Sequence, residues 1–382
     1  MIGVGDPLFA EGVDGGVLLV VLAKAGVTFA VLLVAVLFMI WFERKVIADM
    51  QNRIGPATAG KWGILQSLAD GIKLFFKEDL LPERADRVVF RLAPYLSVVP
   101  AFLAFSIVPL GGTMRIAGHT TYMQLADPPI GILFLLAVSS VAVYGVMLAG
   151  WSSGSKYPLL GSVRASAQMV SYEAALGLSI AAVVLVTGSL STFDIVQEQA
   201  DRITDWNVVR LGFVPFVVFL LAATAELNRP PFDLVEAEQE LVGGFHTEYS
   251  SIRFALFYLA EFMNTITMSA VIVTLFLGGP VGWDLGIPGL SRVSVVWFTL
   301  KVLVFLFTYV WLRATLPRLR YDQLMDLGWK VLIPLSLFWL LVLGAMRIET
   351  RYGFAVFAGG ALLAPVLLRS VTIGRAAATE VR

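Results

Sequence analysis

The sequence predicts an all-α, polytopic helical bundle embedded in a membrane. Three observations predict it. The 382 residues are 58% hydrophobic and only 15% charged, the mean hydropathy is +0.82, and apolar runs long enough to cross a bilayer recur along the whole chain. The runs are continuous rather than alternating with a period of two, which excludes a membrane β-barrel.

Nine spans are read, at roughly 16–41, 92–110, 128–150, 163–187, 210–227, 253–278, 294–313, 329–346 and 353–370. The fifth and the last are short. Together they make one integral membrane domain over 1–382. The first fifteen residues carry Asp6, Glu11 and Asp14 and lack a basic opening, so they resemble neither a cleavable signal nor a transit peptide.

The long connection after the first span is not all loop. In "KWGILQSLADGIKLFFKED" Leu65, Leu68, Ile72, Phe75 and Phe76 recur at steps of three and four, while Gln66, Asp70, Lys73 and Lys77 take the other face. That pattern predicts an amphipathic helix in the membrane interface, with Trp62 as a headgroup-level anchor. A helix that merely caps the bundle is the alternative. Gly55-Pro56 before it makes a turn that folds the helix back beneath the first span.

Lys and Arg set the sidedness. With the N-terminus outside, 20 of the 28 basic residues fall on inside connections, six fall outside, and Lys24 and Lys301 lie within spans. The bias predicts N-out, C-in, with the loops 42–91 and 228–252 on the cytoplasmic (or matrix) side.

Several chemistries are excluded by what the chain lacks. With no cysteine there is no disulfide, thiolate zinc site or cysteine-ligated iron–sulfur cluster. His119 and His246 are the only histidines, too few for a bis-histidine haem plus anything else, and His246 has no second histidine at metal spacing. Neither nucleotide fingerprint occurs. Any redox cofactor therefore sits on a partner chain or arrives as a diffusible, membrane-soluble molecule. A net charge of zero argues against nucleic acid.

The candidate chemistry lies in carboxylates. Glu173 and Glu261 fall inside the fourth and sixth spans, where a charge costs about 2.5–3.5 kcal/mol on insertion scales. Each is either a proton-relay group or a structural one. For Glu173 the structural reading has Gln168, Ser171 or Tyr172 holding it. A second concentration runs from Ala225 to Tyr249 and holds Glu226, Asp233, Glu236, Glu238, Glu240 and Glu248, with Arg229 as its only fixed cation. Arg229 follows Glu226 by three residues and pairs with it if the helix continues that far. Pro230-Pro231 then stops the helix, and Glu236 and Glu240 fall on one face of the next segment. Like charges four apart repel, so the set titrates as a coupled unit with at least one proton held near neutral pH. A solvated acidic loop is the alternative, although "LVEAEQELVGGF" intersperses the acids with apolar residues. Arg44, Lys45, Arg53, Arg313, Arg318 and Arg320 read as ordinary inside anchors.

Four segments carry a resemblance. "ERKVIADMQNRIGP", "GWSSGSKYPLLGSVRASAQMVSYE", "AELNRPPFDLVEAEQELVGGFHTEYS" and "RATLPRLRYDQLM" resemble the signature segments of one family in respiratory complex I. Its members are the membrane-embedded quinone-site subunits of NADH:quinone oxidoreductase. The likeness runs from about Glu43 to Asp326. It implies a quinone chamber and a coupling of quinone reduction to proton translocation, by a chain inactive on its own. By position, Glu43, Arg44, Gln51 and Arg53 match the quinone entrance, and Phe245 and Tyr249 match the wall of the acidic loop. Glu173, Glu226 and Glu261 match the buried acidic series, and Asp233, Glu236, Glu238 and Glu240 match the acidic loop beneath the chamber.

The resemblance also implies that quinone is the substrate and that this chain binds no cofactor. FMN, NADH and the iron–sulfur clusters belong to partner subunits, namely the peripheral-arm quinone-reducing subunits beside the membrane-arm pumping subunits. The ninth span agrees with the longer, bacterial form, hence the bacterial cytoplasmic (inner) membrane. The equivalent subunit of a membrane-bound hydrogenase, or of another donor-linked quinone reductase, shares the scaffold. A self-contained proton or cation carrier is disfavoured by the lack of an inverted repeat.

Overall fold

A computed structural model describes residues 6–9, 12–234, 238–282 and 294–360, with the side chains of residues 238 and 239 excepted. Seven of its helices are long and apolar enough to cross a membrane. They are α1 (Gly15–Met50), α3 (Arg87–Phe105), α4 (Gly131–Ser152), α5 (Lys156–Thr187), α10 (Ser251–Phe276), α11 (Ser294–Thr315) and the continuous stretch Tyr321–Ile348. That stretch comprises α12 (Tyr321–Leu327), a π-helical turn at Gly328–Leu332 and α13 (Ile333–Ile348). Shorter helices complete the chain: α2 (Gln66–Phe76), α6 (Thr192–Gln197), α7 (Asn207–Arg210), α8 (Phe213–Glu226) and α9 (Glu238–Leu241). The one sheet among the described residues is a hairpin, β1 (Thr113–Ile116) with β2 (His119–Tyr122).

The bundle is thus helical as read, with a correction at the fifth span. The fifth span is α8, only 14 residues, about 21 Å at 1.5 Å per residue and too short for a hydrocarbon core of about 30 Å. It is tolerated because protein rather than lipid surrounds its second half, where Ala222 to Glu226 are all buried. Of the ninth span, residues 350–360 are helical and the rest lies outside the described residues.

Local chemistry explains the helix ends. The Asp14 side chain accepts from the Val17 N–H at 2.7 Å and starts α1. Asp86 likewise accepts from the N–H groups of Val88 and Val89 and starts α3. With 36 residues, α1 is about 54 Å long, so its last turns, which carry Glu43 and Arg44, stand clear of the bilayer core. Pro94 and Pro100 sit within α3, acceptable where neighbouring helices satisfy the freed backbone groups.

The chain returns along α1 as expected. Gly63 has φ +71°, and a Cβ there would lie 2.4 Å from the carbonyl carbon of Pro56, so only glycine closes this turn. The Trp41 indole N–H then donates to the Trp62 carbonyl at 3.0 Å, and Arg44 pairs with Asp70 at 2.6 Å. The apolar face of α2 points outward, with Phe75 70% and Phe76 87% exposed. An outward apolar face is what the amphipathic spacing predicts, while the Ser251 hydroxyl donates to the Leu74 carbonyl and ties the helix to the bundle.

Contacts sort the connections into two ends. At one end Asp86 N–H meets Ser152 O, Leu319 N–H meets Pro231 O, Ser250 accepts from Leu80 N–H and Arg253 pairs with Asp79. At the other end Lys24 bonds Asp6 and Thr121, Ser191 donates to Asp127 and Arg347 donates to Val186 O. The first end gathers the loops that the charge count assigns inside.

Candidate functional site

The network begins at a helix end. In α8 the last helical residue is Glu226, and Asn228 takes a positive φ of 51°. The chain turns there, and Arg229 swings away from Glu226 instead of stacking one turn above it. The expected Glu226–Arg229 pair is therefore absent. Arg229 pairs with Glu43 of α1 at 2.6 Å and with Glu261 of α10 at 3.2 Å, and its guanidinium lies 4.7 Å from the Phe262 ring centroid. It is only 1% exposed. Arg313, from the end of α11, also donates to Glu43. A buried guanidinium needs such partners, because an unpaired charge in a low dielectric costs several kcal/mol.

Two acids are held differently. Glu226 accepts from the Ser139 hydroxyl and Glu173 from the Ser140 hydroxyl, adjacent residues of α4. The second oxygen of Glu226 is buried with no hydrogen-bond partner among the described residues. The distinction is chemical. A guanidinium only donates, so it complements a carboxylate alone, whereas a hydroxyl donates to a carboxylate and accepts from a carboxylic acid. The serine-held acids can therefore change protonation without losing their partners. Gln168, Ser171 and Tyr172 do not hold Glu173. Tyr172 donates to Leu324 O at 2.8 Å, Ser171 to Ala167 O, and Gln168 to the carbonyls of Ala225 and Phe232.

The acidic run is less bare than its local sequence implies. Asp233 pairs with Arg318 at 2.9 Å and Glu240 with Arg164 at 2.6 Å, so Arg229 is not its only cation in space. Arg313 and Arg318, read as ordinary anchors, are partners of acids. Gly161 of α5 permits the close approach of this loop, since a Cβ there would lie 2.8 Å from the Gly244 Cα. Glu236 lies outside the described residues, as does the Glu238 side chain.

The remaining site residues divide. Phe245, with His246, Tyr258, Glu226 and Glu261, borders a cavity of about 60 Å³. Tyr249 instead stacks on Phe90 with ring centroids 3.9 Å apart and donates to the Phe90 carbonyl. Burial pushes its phenol up to about 12, so it stays protonated at neutral pH. Arg44 reaches Asp70 on α2, and the Arg53 guanidinium donates to Gln51 on the exposed turn after α1. Arg44, Gln51 and Arg53 are thus bonded along the α1–α2 turn. Sequence reasoning missed Ser139 and Ser140, although two hydroxyls in an otherwise apolar span are a signal for interhelical bonding. It also missed Arg229 as the hub. Among the described residues no group of three metal-ligating side chains occurs.

Comparison with known proteins agrees on one family. A family model described as NADH dehydrogenase matches residues 23–344. The H subunit of the NADH-quinone oxidoreductase of Frankia alni is 55% identical over 338 residues, covering 87% of this chain and 73% of that protein. The protein of the same name from Streptomyces avermitilis is 52% identical over 366 residues, 92% of this chain and 79% of its own.

Proposed function

The chain belongs to the NADH dehydrogenase family, and from that membership we propose that it is the quinone-site membrane subunit of a proton-translocating NADH:quinone oxidoreductase. In this reading it forms the chamber where quinone is reduced and couples that reduction to proton translocation through buried carboxylates. One observation carries the reading: Arg229 touches both Glu43, at the segment that resembles the quinone entrance, and Glu261, in the buried series. A charge change near Glu43 is felt at Glu261 through a single guanidinium, with little water to screen it.

The quinone enters between α1 and the interfacial α2, its isoprenoid tail along exposed apolar side chains such as Leu68 and Ile72. Its head reaches the polar region bounded by the loops 42–91 and 228–252, where Arg44, Gln51 and Arg53 line the approach. Electrons come from an iron–sulfur cluster on a partner subunit, which together with FMN and NADH lies outside this chain. Two-electron reduction puts transient negative charge near Glu43, Asp233 and Glu240, which lasts until the quinone takes up two protons and becomes the neutral quinol. Arg229 and Glu261 shift in response, and the proton equilibrium of Glu226 and then Glu173 follows, each held by a hydroxyl that suits both forms. The Glu173 side then faces the pumping subunits of the membrane arm.

Two tests bear on this arrangement. Arg53→Ala in the assembled complex should raise the apparent quinone KM several-fold while kcat stays near wild type, as loss of a binding contact does. An unchanged KM would remove Arg53 from the entrance. For orientation, the chain is thiol-free, so cysteines at Lys61 and Glu240 should react with an impermeant thiol reagent from the cytoplasmic side only. A cysteine at Arg115 should react only from outside. Reversed labelling would overturn the N-out placement in the bacterial inner membrane.

A further inference from the structure

Two small cavities lie side by side within the bundle. The one on the acidic-loop side has about 60 Å³ and reaches His246, Tyr258 and Glu261. Its neighbour has about 20 Å³ and reaches Ser139 and Thr267. Five residues border both: Ala142, Met169, Leu227, Glu226 and Asn264. Among the described residues the dividing wall is therefore apolar except at Glu226 and Asn264. A water needs about 15 Å³ and two to four polar partners, so one water fits the smaller space and a few fit the larger.

Asn264 sits three residues after Glu261 and so shares its face of α10. No described residue hydrogen-bonds its amide. Across the wall, the second carboxylate oxygen of Glu226 is buried with no hydrogen-bond partner among the described residues. The Asn264 amide borders the same pair of cavities, and a buried oxygen left without a bond is costly unless something reaches it.

We propose that Asn264 is a positioning residue for proton transfer at Glu226, its amide holding the water that bridges the two cavities against the free oxygen of Glu226. This rests on the relay role given to Glu226 above. The amide offers both a donor and an acceptor and does not titrate, so it orients a water without competing for the proton. One proton moves per step: an O–H bond forms at Glu226 as one breaks in the bridging water, which takes a proton in turn from a hydronium ion in the larger cavity, leaving neutral water on both sides. Ala142, Met169 and Leu227 offer no other polar crossing.

The test uses the assembled complex in vesicles with three variants. Asn264→Leu keeps the volume but removes every hydrogen bond, Asn264→Ala removes them without adding bulk, and Asn264→Ser restores a hydroxyl. The Leu and Ala variants should assemble and keep the quinone KM within about twofold, while kcat falls about tenfold and its solvent deuterium isotope effect rises. The Ser variant should recover most of the loss. Wild-type kcat and isotope effect in Asn264→Leu would overturn the proposal. So would a Ser variant as poor as Ala, or failure of both Leu and Ala to assemble, each of which marks a packing role. Glu226→Gln run in parallel separates the two levels. If it is impaired while Asn264→Leu is normal, only the Asn264 assignment fails; if Glu226→Gln is itself normal, the relay reading fails.

Discussion

Arg229→Ala should destabilise the protein by about 3–5 kcal/mol and sharply lower the amount of assembled complex, because it strands charges that the fold has buried. Glu43 keeps Arg313 but loses its 2.6 Å contact with Arg229. Glu261 loses a guanidinium at 3.2 Å. Arg229→Lys should rescue only in part, since one compact ammonium cannot replace a planar fork that reaches two acids from two helices. The triple variant Arg229→Met, Glu43→Gln, Glu261→Gln removes the two Arg229 pairs together and should regain most of the stability without regaining quinone reduction. Thermal unfolding and the yield of intact complex check this. A wild-type yield for Arg229→Ala would contradict the hub.

Glu226→Gln should do the opposite: leave assembly intact and abolish most turnover. The amide matches the carboxyl in size and can still accept from Ser139, and the substitution removes no ion pair among the described contacts. What it removes is the exchangeable proton, for which a loss of about a hundredfold in kcat is the scale of a lost acid–base group. Quinone KM should change little, because Glu226 borders an internal cavity rather than the approach beside Arg44 and Arg53. A fall in KM-limited rate with normal kcat would instead mark Glu226 as a binding residue.

Much of the fold was legible because lipid imposes a strong pattern. Continuous apolar runs located all seven long helices, and the three- and four-residue spacing from Leu65 to Phe76 located α2 with its outward face. Helix ends were less legible. The apolar run that marks the first span stops at 41, yet the helix continues to Met50 through Glu43 and Arg44, which lie beyond the bilayer core. The hairpin from Thr113 to Tyr122 was not read at all, since a four-residue strand carries too little periodicity.

The site was legible in its acids and not in their partners. A carboxylate is conspicuous in an apolar run, so Glu173 and Glu261 stood out. Their partners come from distant parts of the chain. Arg313 meets Glu43 and Arg164 meets Glu240 only after the helices are packed, and no local pattern encodes that. Arg229 was assigned to the wrong acid for a definable reason: a helix continuing three more residues would stack it on Glu226, but the positive φ at Asn228 ends that register.

If hydroxyl-held acids carry the coupling, Glu173 must exchange a proton during turnover. The measurement is NADH-driven quinone reduction and the accompanying proton translocation, followed together in vesicles containing the fully assembled Glu173→Gln complex. Glutamine keeps the shape and the bond from Ser140 but cannot lose or gain the proton. Both activities should fall together, with normal assembly. Wild-type values for both would make Glu173 a structural residue and remove it from the coupling.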